Sequence, residues 1–181
     1  MPISIIVPGR DFFDSQTNRF ISTKQQKLVL EHSLLSIAKW EMKWHKAYLS
    51  LEQKTDEQNL DYIRCMCLTE PSDPMVFLSL TKENIKAISD YISDPMTATT
   101  FNRRDKKPSR EIITNELIYF WMAEYNIPFD PCQKWHLSRL MTLIEVCSIK
   151  SQPPKKMSKA AAMKQQHSLN AARRARYHTS G

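Results

Sequence analysis

The sequence predicts a mainly α-helical protein: a helical bundle with a small N-terminal β-hairpin and a flexible basic C-terminal arm. Three observations predict it. Apolar residues recur at helical spacing through most of residues 34–147. The chain holds only two glycines, Gly9 and Gly181, which disfavours both the phosphate-cradling loops of nucleotide-binding α/β folds and the many tight turns of β-sandwiches. Finally, no acidic residue follows Glu145, whereas eight lysines and arginines do. Because those eight exceed the net charge of +7 by one, residues 1–149 sum to −1. The body is nearly neutral and the tail carries the imbalance, as in a basic arm. The expected organisation is a helical domain over residues 1–150, then a basic linker and exposed helical arm over 151–181.

The elements follow in order. Residues 2–7 and 26–31 are rich in aliphatic and β-branched side chains and predict two strands joined by a long loop. Two strands alone are marginal, so they should pack on helices. Ser33 is placed to cap a helix carrying Leu34, Ile37, Ala38, Glu41, Trp44 and Tyr48. Thr55 and Gln58 have the spacing of a capping box, opening a helix with Leu60, Ile63 and Cys67 on one face. Asp73-Pro74 starts a short segment through Leu80. Thr81 caps a helix bearing Ile85, Ile88 and Ile92, and Asp94-Pro95 stops it. Residues 96–110 are irregular, with a candidate strand at Thr97–Phe101 and a charged turn beyond.

Ser109 is expected to cap the next helix, which carries Ile112, Ile113, Leu117, Phe120, Trp121 and Tyr125 and ends at Asn126 and Pro128. Asp130-Pro131, with Gln133 three residues after the aspartate, is expected to open the last core helix through Leu137, Leu140, Met141, Ile144 and Cys147. Pro153-Pro154 marks a linker. Ser158 then caps a helix over about residues 159–175 whose apolar residues are mainly alanine, giving helix propensity with little burial.

No apolar run approaches the ~20 residues that span a bilayer, and Met1–Gly9 lacks a basic leader and a cleavage site. A cytosolic protein without membrane contact is expected. Of the four cysteines, Cys65 and Cys67 are spaced too closely for the usual zinc pair and read as core thiols. Cys132 and His136, four apart on the expected helix, suit two metal ligands, but two more would be required. Cys132 near a helix start has the setting of an activated thiol, without a nucleophile's other partners around it. Glu111, Glu116 and Glu124 share no helix face and read as solvated. No catalytic residue, metal ligand or cofactor is assigned.

Two groups are candidates for partner binding. Trp40, Trp44, Trp121 and Trp135 are many for this length. Core packing explains them most simply, and a partner groove is the alternative, since aromatics anchor interfaces. Lys155, Lys156, Arg173, Arg174 and Arg176 concentrate positive charge in the arm. They suit phosphate contacts, a solubilising tail, or a helix docking on an acidic partner. Tyr177, the only Phe, Trp or Tyr after Trp135, is too little for stacking along a single strand.

Several segments together resemble a family. They are ISIIVPGR (3–10), YIRCM (62–66), DPMTATTF (94–101), REIITNELIYFWM (110–122), CQKWHLSRLMTLIEVC (132–147) and PPKKMSK with LNAARRAR (153–176). Nearly the whole chain is covered, and it resembles the tail assembly chaperones and tail-region proteins of long-tailed bacteriophages. The resemblance implies a non-enzymatic protein of the host cytoplasm. Such a protein binds the extended tape measure protein before the tube polymerises around it, and is absent from the finished particle. It implies the tail tube protein as a further partner and leaves self-association open. Met42, Met66, Met75, Met96, Met122 and Met141 suit a surface that repacks around varied helices. Two other readings stand beside it: a structural tail or connector protein of the virion, and a nucleic-acid-binding protein acting through the arm.

Overall fold

The N-terminal residues alternate inward and outward as strands must. A computed structural model describes residues 2–14, 18–101, 111–151 and 159–177. It divides into two units, Met1–Ser148 and Ile149–Gly181. The first unit opens with strands β1 (Ile3–Val7), β2 (Asp11–Asp14), β3 (Arg19–Ser22) and β4 (Gln26–Leu30). β1 pairs antiparallel with β4, setting Ile3 opposite Leu30 and Ile5 opposite Leu28. Ile5, Val7, Leu28 and Leu30 are buried, whereas Ile6 and Lys27 face solvent.

The expected two strands are therefore present, and the loop between them is not plain loop. β2 and β3 form a second antiparallel hairpin inside it, with Phe12 opposite Ile21 and Phe13 opposite Phe20. The polar residues of 8–25 disguised this hairpin, although its own strands carry three phenylalanines and an isoleucine. Where the two hairpins meet, the Arg10 and Thr23 backbones bond at 2.8 Å. A Cβ on Gly9 would come within 2.6 Å of the Thr23 carbonyl, so no larger residue fits there without moving the chain.

The helices are α1 (Leu34–Trp44), α2 (Asp56–Met66), a 3-10 helix (Pro74–Ser79), α3 (Lys82–Ser93), α4 (Asn115–Glu124), α5 (Phe129–Cys132), α6 (Leu137–Ser151) and α7 (Lys159–Tyr177). α1 packs on α2 and α4, and α3 packs on β1. The unit is helix-rich but is not purely a bundle, because the β1–β4 hairpin supplies part of the core itself. Its strand residues pack with Leu34, Ile37, Trp40, Met66, Ile118, Met122, Leu137 and Leu140 in one cluster.

Several caps match the sequence. Thr55 and Gln58 close a full capping box, and the Asp73 carboxylate accepts the Met75 N–H at 2.8 Å. Thr81 caps α3 as expected, and Asn84 completes a second box there. Ser33 occupies the cap position of α1 in extended backbone, but its hydroxyl makes no cap bond. α1 stops at Trp44 because His45 turns left-handed at φ 51°, leaving Tyr48 beyond the helix.

Three expectations are corrected. Thr97–Phe101 forms no strand; the Thr97 hydroxyl instead accepts the Thr99 N–H at 3.1 Å in a local turn. Ser109 lies outside the described residues, and Ile112 and Ile113 precede α4, which is capped by Thr114. Asp130 does not open the last core helix. α5 is a separate short piece with Gln133 past its end, and the exposed Asp130 pairs with Lys134 at 2.7 Å. α6 begins at Leu137, whose N–H reaches the His32 carbonyl at 2.9 Å. In the last two cases a residue distant in sequence accepts the first N–H of the helix, which local cap spacing does not show. At α4 the Thr114 hydroxyl also caps locally by accepting the Leu117 N–H.

For α4 that distant residue is Glu41. Its buried carboxylate accepts the Tyr48 N–H at 2.7 Å through one oxygen. Through the other it accepts the Asn115 N–H at 2.8 Å and the Asn115 side-chain amide at 2.6 Å. An anion at a helix N-terminus meets free backbone donors and the positive end of the dipole. Replacing Glu41 with alanine strands these donors in the interior, so Glu41→Ala is expected to cost about 3 kcal/mol. Urea unfolding checks this as a lower midpoint with an unchanged slope.

Candidate partner-binding surfaces

Capping boxes fix the starts of α2 and α3, and the apolar stripes of these helices then determine what lies between them. α3 is amphipathic through Ile85, Ile88 and Ile92. Only Ile88 and Tyr91 of this helix are fully buried, however, and Ile85 is 45% exposed. Asn84 donates its side-chain amide to the Ile6 carbonyl at 3.1 Å, pinning the helix start to β1. Ile85, Ile88 and Ile92 then face Leu60 and Ile63 of α2 across a cleft of about 490 Å3. A second cleft of about 520 Å3 shares Tyr48 and Ile92 with the first and runs on to Leu137, Met141 and Glu145 of α6. The two adjoin at Tyr48 and Ile92, and we refer to the pair as the trough, lined mainly by aliphatic and aromatic side chains. Among its described lining residues the carboxylates are Asp56 and Glu145, and no lysine or arginine is present.

Beneath the trough lies a cluster of aromatic and histidine rings. Tyr48 stacks on Tyr62 with centroids 3.9 Å apart. The Tyr62 hydroxyl and His32 Nδ1 share a hydrogen bond of 2.5 Å. His32 and His136 meet edge to face at 5.0 Å. His136 donates Nε2–H to the Tyr91 carbonyl at 3.0 Å and accepts the Ser138 N–H on Nδ1 at 3.3 Å. Both its ring nitrogens are thus committed within the chain, and neither has a lone pair left for a metal. Cys132 and His136 also do not share a helix, since Cys132 ends α5 and His136 precedes α6. Among the described residues no group of three or more His, Cys, Asp or Glu side chains is placed to hold a metal ion.

Burial, and then the neighbouring His136, pull the His32 pKa down to about 4. Burial also lowers that of His136, and it raises the Tyr62 phenol well above its ordinary value. The thiols of Cys65 and Cys67 are raised by burial as well, which holds them as thiols rather than nucleophilic thiolates. Among the described residues no buried side-chain nitrogen or oxygen lacks a hydrogen-bond partner.

The four tryptophans are mostly structural. Trp40 is 1% exposed and donates its indole N–H to the Gln58 carbonyl at 3.0 Å. It is a core residue with no surface to offer a partner, because α2 covers the face it shares with Ile37. Trp44 is half-buried and donates to Asp61 at 2.9 Å. Burial alone would raise the Asp61 pKa, but hydrogen bonds from Lys43 and Trp44 hold it below the ordinary value. Trp121 and Trp135 are half-buried against the core, and the Arg139 guanidinium lies 4.2 Å over the Trp135 ring.

The exposed aromatics are others. Phe13 and Phe20 stand out from the β2–β3 hairpin with ring centroids 5.2 Å apart. Phe120 is 61% exposed. Helical spacing identified Ile85, Ile88 and Ile92 as one stripe, but spacing does not tell which members of a stripe a neighbour covers. Lys155 and Lys156 lie outside the described residues. Arg173, Arg174 and Arg176 are exposed on α7, in the second unit. No helix among the described residues is long and apolar enough to cross a membrane. Comparison with protein families, curated proteins and solved structures finds no match to this chain.

The buried histidines make stability depend on pH. An unfolded histidine titrates near 6.5, so between about pH 6.5 and 4 the unfolded chain binds a proton that folded His32 does not. Stability is therefore full above that window and is lost as pH falls through it. His32 alone is expected to cost about 2 kcal/mol between pH 7 and pH 5. Denaturant unfolding at the two values measures this, and a midpoint independent of pH would contradict neutral, buried rings.

Proposed function

We propose that this protein is a non-catalytic phage tail assembly chaperone whose first unit holds apolar helical segments of the tape measure protein in solution. The observation that carries the reading is the trough between α2, α3 and α6. Its exposed and half-exposed walls of Leu60, Ile85, Ile92 and Met141 are what an amphipathic helix needs to bury its apolar stripe. Isoleucine, leucine and methionine walls suit a partner recognised by shape and apolar area. A methionine at one wall adapts to helices of differing sequence. The segment-by-segment resemblance to phage tail assembly chaperones supplies the identity of that partner. The host cytoplasm is where such a partner is made.

Beneath the walls, the hydrogen bonds of the ring cluster give the trough a preformed floor, while Met141 leaves one wall adaptable. A preformed site spares a partner helix the cost of ordering its receptor.

Co-expression with the tape measure protein of the same phage tests the reading. The wild-type chain is expected to shift that protein from the insoluble to the soluble fraction and to co-purify with it. Ile85→Glu, placed on the exposed rim where the fold tolerates it, is expected to weaken co-purification at least about tenfold by setting a charge in the apolar contact. A tape measure protein that stays insoluble, or this chain as a stoichiometric component of purified virions, would sink the proposal.

A further inference from the structure

α7 is a helix of a different kind from those of the first unit. It runs for 19 residues, and every side chain described on it, from Met163 to Tyr177, is exposed. It contains no acidic residue. Lys164, Arg173, Arg174 and Arg176 therefore find no opposite charge within the helix, although Arg176 approaches the Tyr177 ring at 5.9 Å. We propose that α7 binds duplex DNA, lying in a groove where phosphates face it from both sides.

The distribution of charge favours this partner over an acidic protein. At 100° per residue, Arg176, Arg173 and Arg174 fall about 120°, 180° and 280° around the axis from Lys164. The three arginines span about 160° within one turn, and Lys164, about 14 Å earlier along the axis, faces the side they leave open. A protein surface meets a helix on one side, and a helix that docks in a protein groove needs apolar anchors three and four residues apart. The large apolar residues exposed on α7 are Met163, Leu169 and Tyr177, spaced six and eight apart, which is no such row. Positive charge on more than one side of the helix matches negative walls on more than one side. The major groove of B-DNA is wide enough to admit an α-helix between its phosphate backbones. The deep, narrow major groove of double-stranded RNA does not admit side chains in this way. Phosphate contacts of this sort give affinity without sequence preference.

The test uses the full-length protein and a labelled mixed-sequence DNA duplex of about two helical turns, with anisotropy read between about 50 and 200 mM salt. Four phosphate contacts predict that log K falls against log salt with a slope of about −3 to −4. The variant Arg173→Gln/Arg174→Gln/Arg176→Gln, confined to exposed positions, is expected to bring that slope to about −1 and to weaken binding at low salt at least about tenfold. Lys24→Gln/Lys27→Gln, which removes exposed charge from the first unit, is expected to change neither. Absence of binding at low salt overturns the proposal, as does a triple variant that binds like wild type. Polyglutamate that competes as well as unlabelled DNA at equal charge overturns it in favour of an acidic protein partner. The co-expression assay reads the trough in the first unit, so the failure of either proposal is recognised without the other.

Discussion

The backbone of Val29–Ser33 ties the first unit together. The Val29 carbonyl accepts the Leu68 N–H at 2.8 Å, and the Glu31 N–H reaches the Met66 carbonyl at 2.9 Å. The His32 N–H bonds to the Tyr91 hydroxyl at 3.3 Å, and the His32 carbonyl takes the first N–H of α6. Ser33 then bridges to His136 as α1 begins. Within five residues the chain touches β1, the end of α2, the end of α3 and the start of α6. Buried backbone groups must be paired. Here that requirement is met by segments far apart in sequence, so none of them can shift without stranding a donor or acceptor. The His32 and Tyr62 rings lie under the trough because this strip holds them there.

What was legible in the sequence was what nearest neighbours dictate. The Thr55–Gln58 box, the Asp73-Pro74 start and the Thr81 cap are decided within four residues, and the alternation of Ile5, Val7, Leu28 and Leu30 is decided by the strand itself. The starts of α4 and α6 were not legible. The first N–H of each finds its acceptor elsewhere in the chain, Glu41 in one case and His32 in the other, and at α4 the local cap is Thr114 rather than Ser109. Asp130 and Gln133 have cap-box spacing, yet Asp130 forms an exposed pair with Lys134 instead. The candidate site was half legible for the same reason. Tryptophan count left core packing and anchors both open, and Trp40 and Trp44 are claimed by Gln58 and Asp61, groups on a helix the periodicity of α1 does not describe. The trough belongs to residues whose neighbours fail to cover them, and a single stripe does not announce that.

The two units offer surfaces governed by different physics. In the proposed readings, a partner helix in the aliphatic trough would be held by removing apolar area from water, which depends little on salt. Phosphates on α7 would be held through counterion release, which depends on it steeply. A molecule carrying both can hold one kind of partner while its grip on another changes with ionic conditions.

The Val29–Ser33 strip also sets a clock on synthesis. Its first pairing, with β1, is available as soon as the N-terminal hairpin emerges, but its last partner, Leu137, is translated about a hundred residues later. At the usual pace of translation the strip waits on the order of 5–20 s for that bond. During that interval the core cluster lacks Leu137, Leu140 and Ile144, which α6 supplies. The nascent chain is therefore most exposed to misassociation just before α6 leaves the ribosome. A translational pause upstream of that helix would lengthen the risk, whereas a pause within the arm, after α6 is free, would give the first unit time to close.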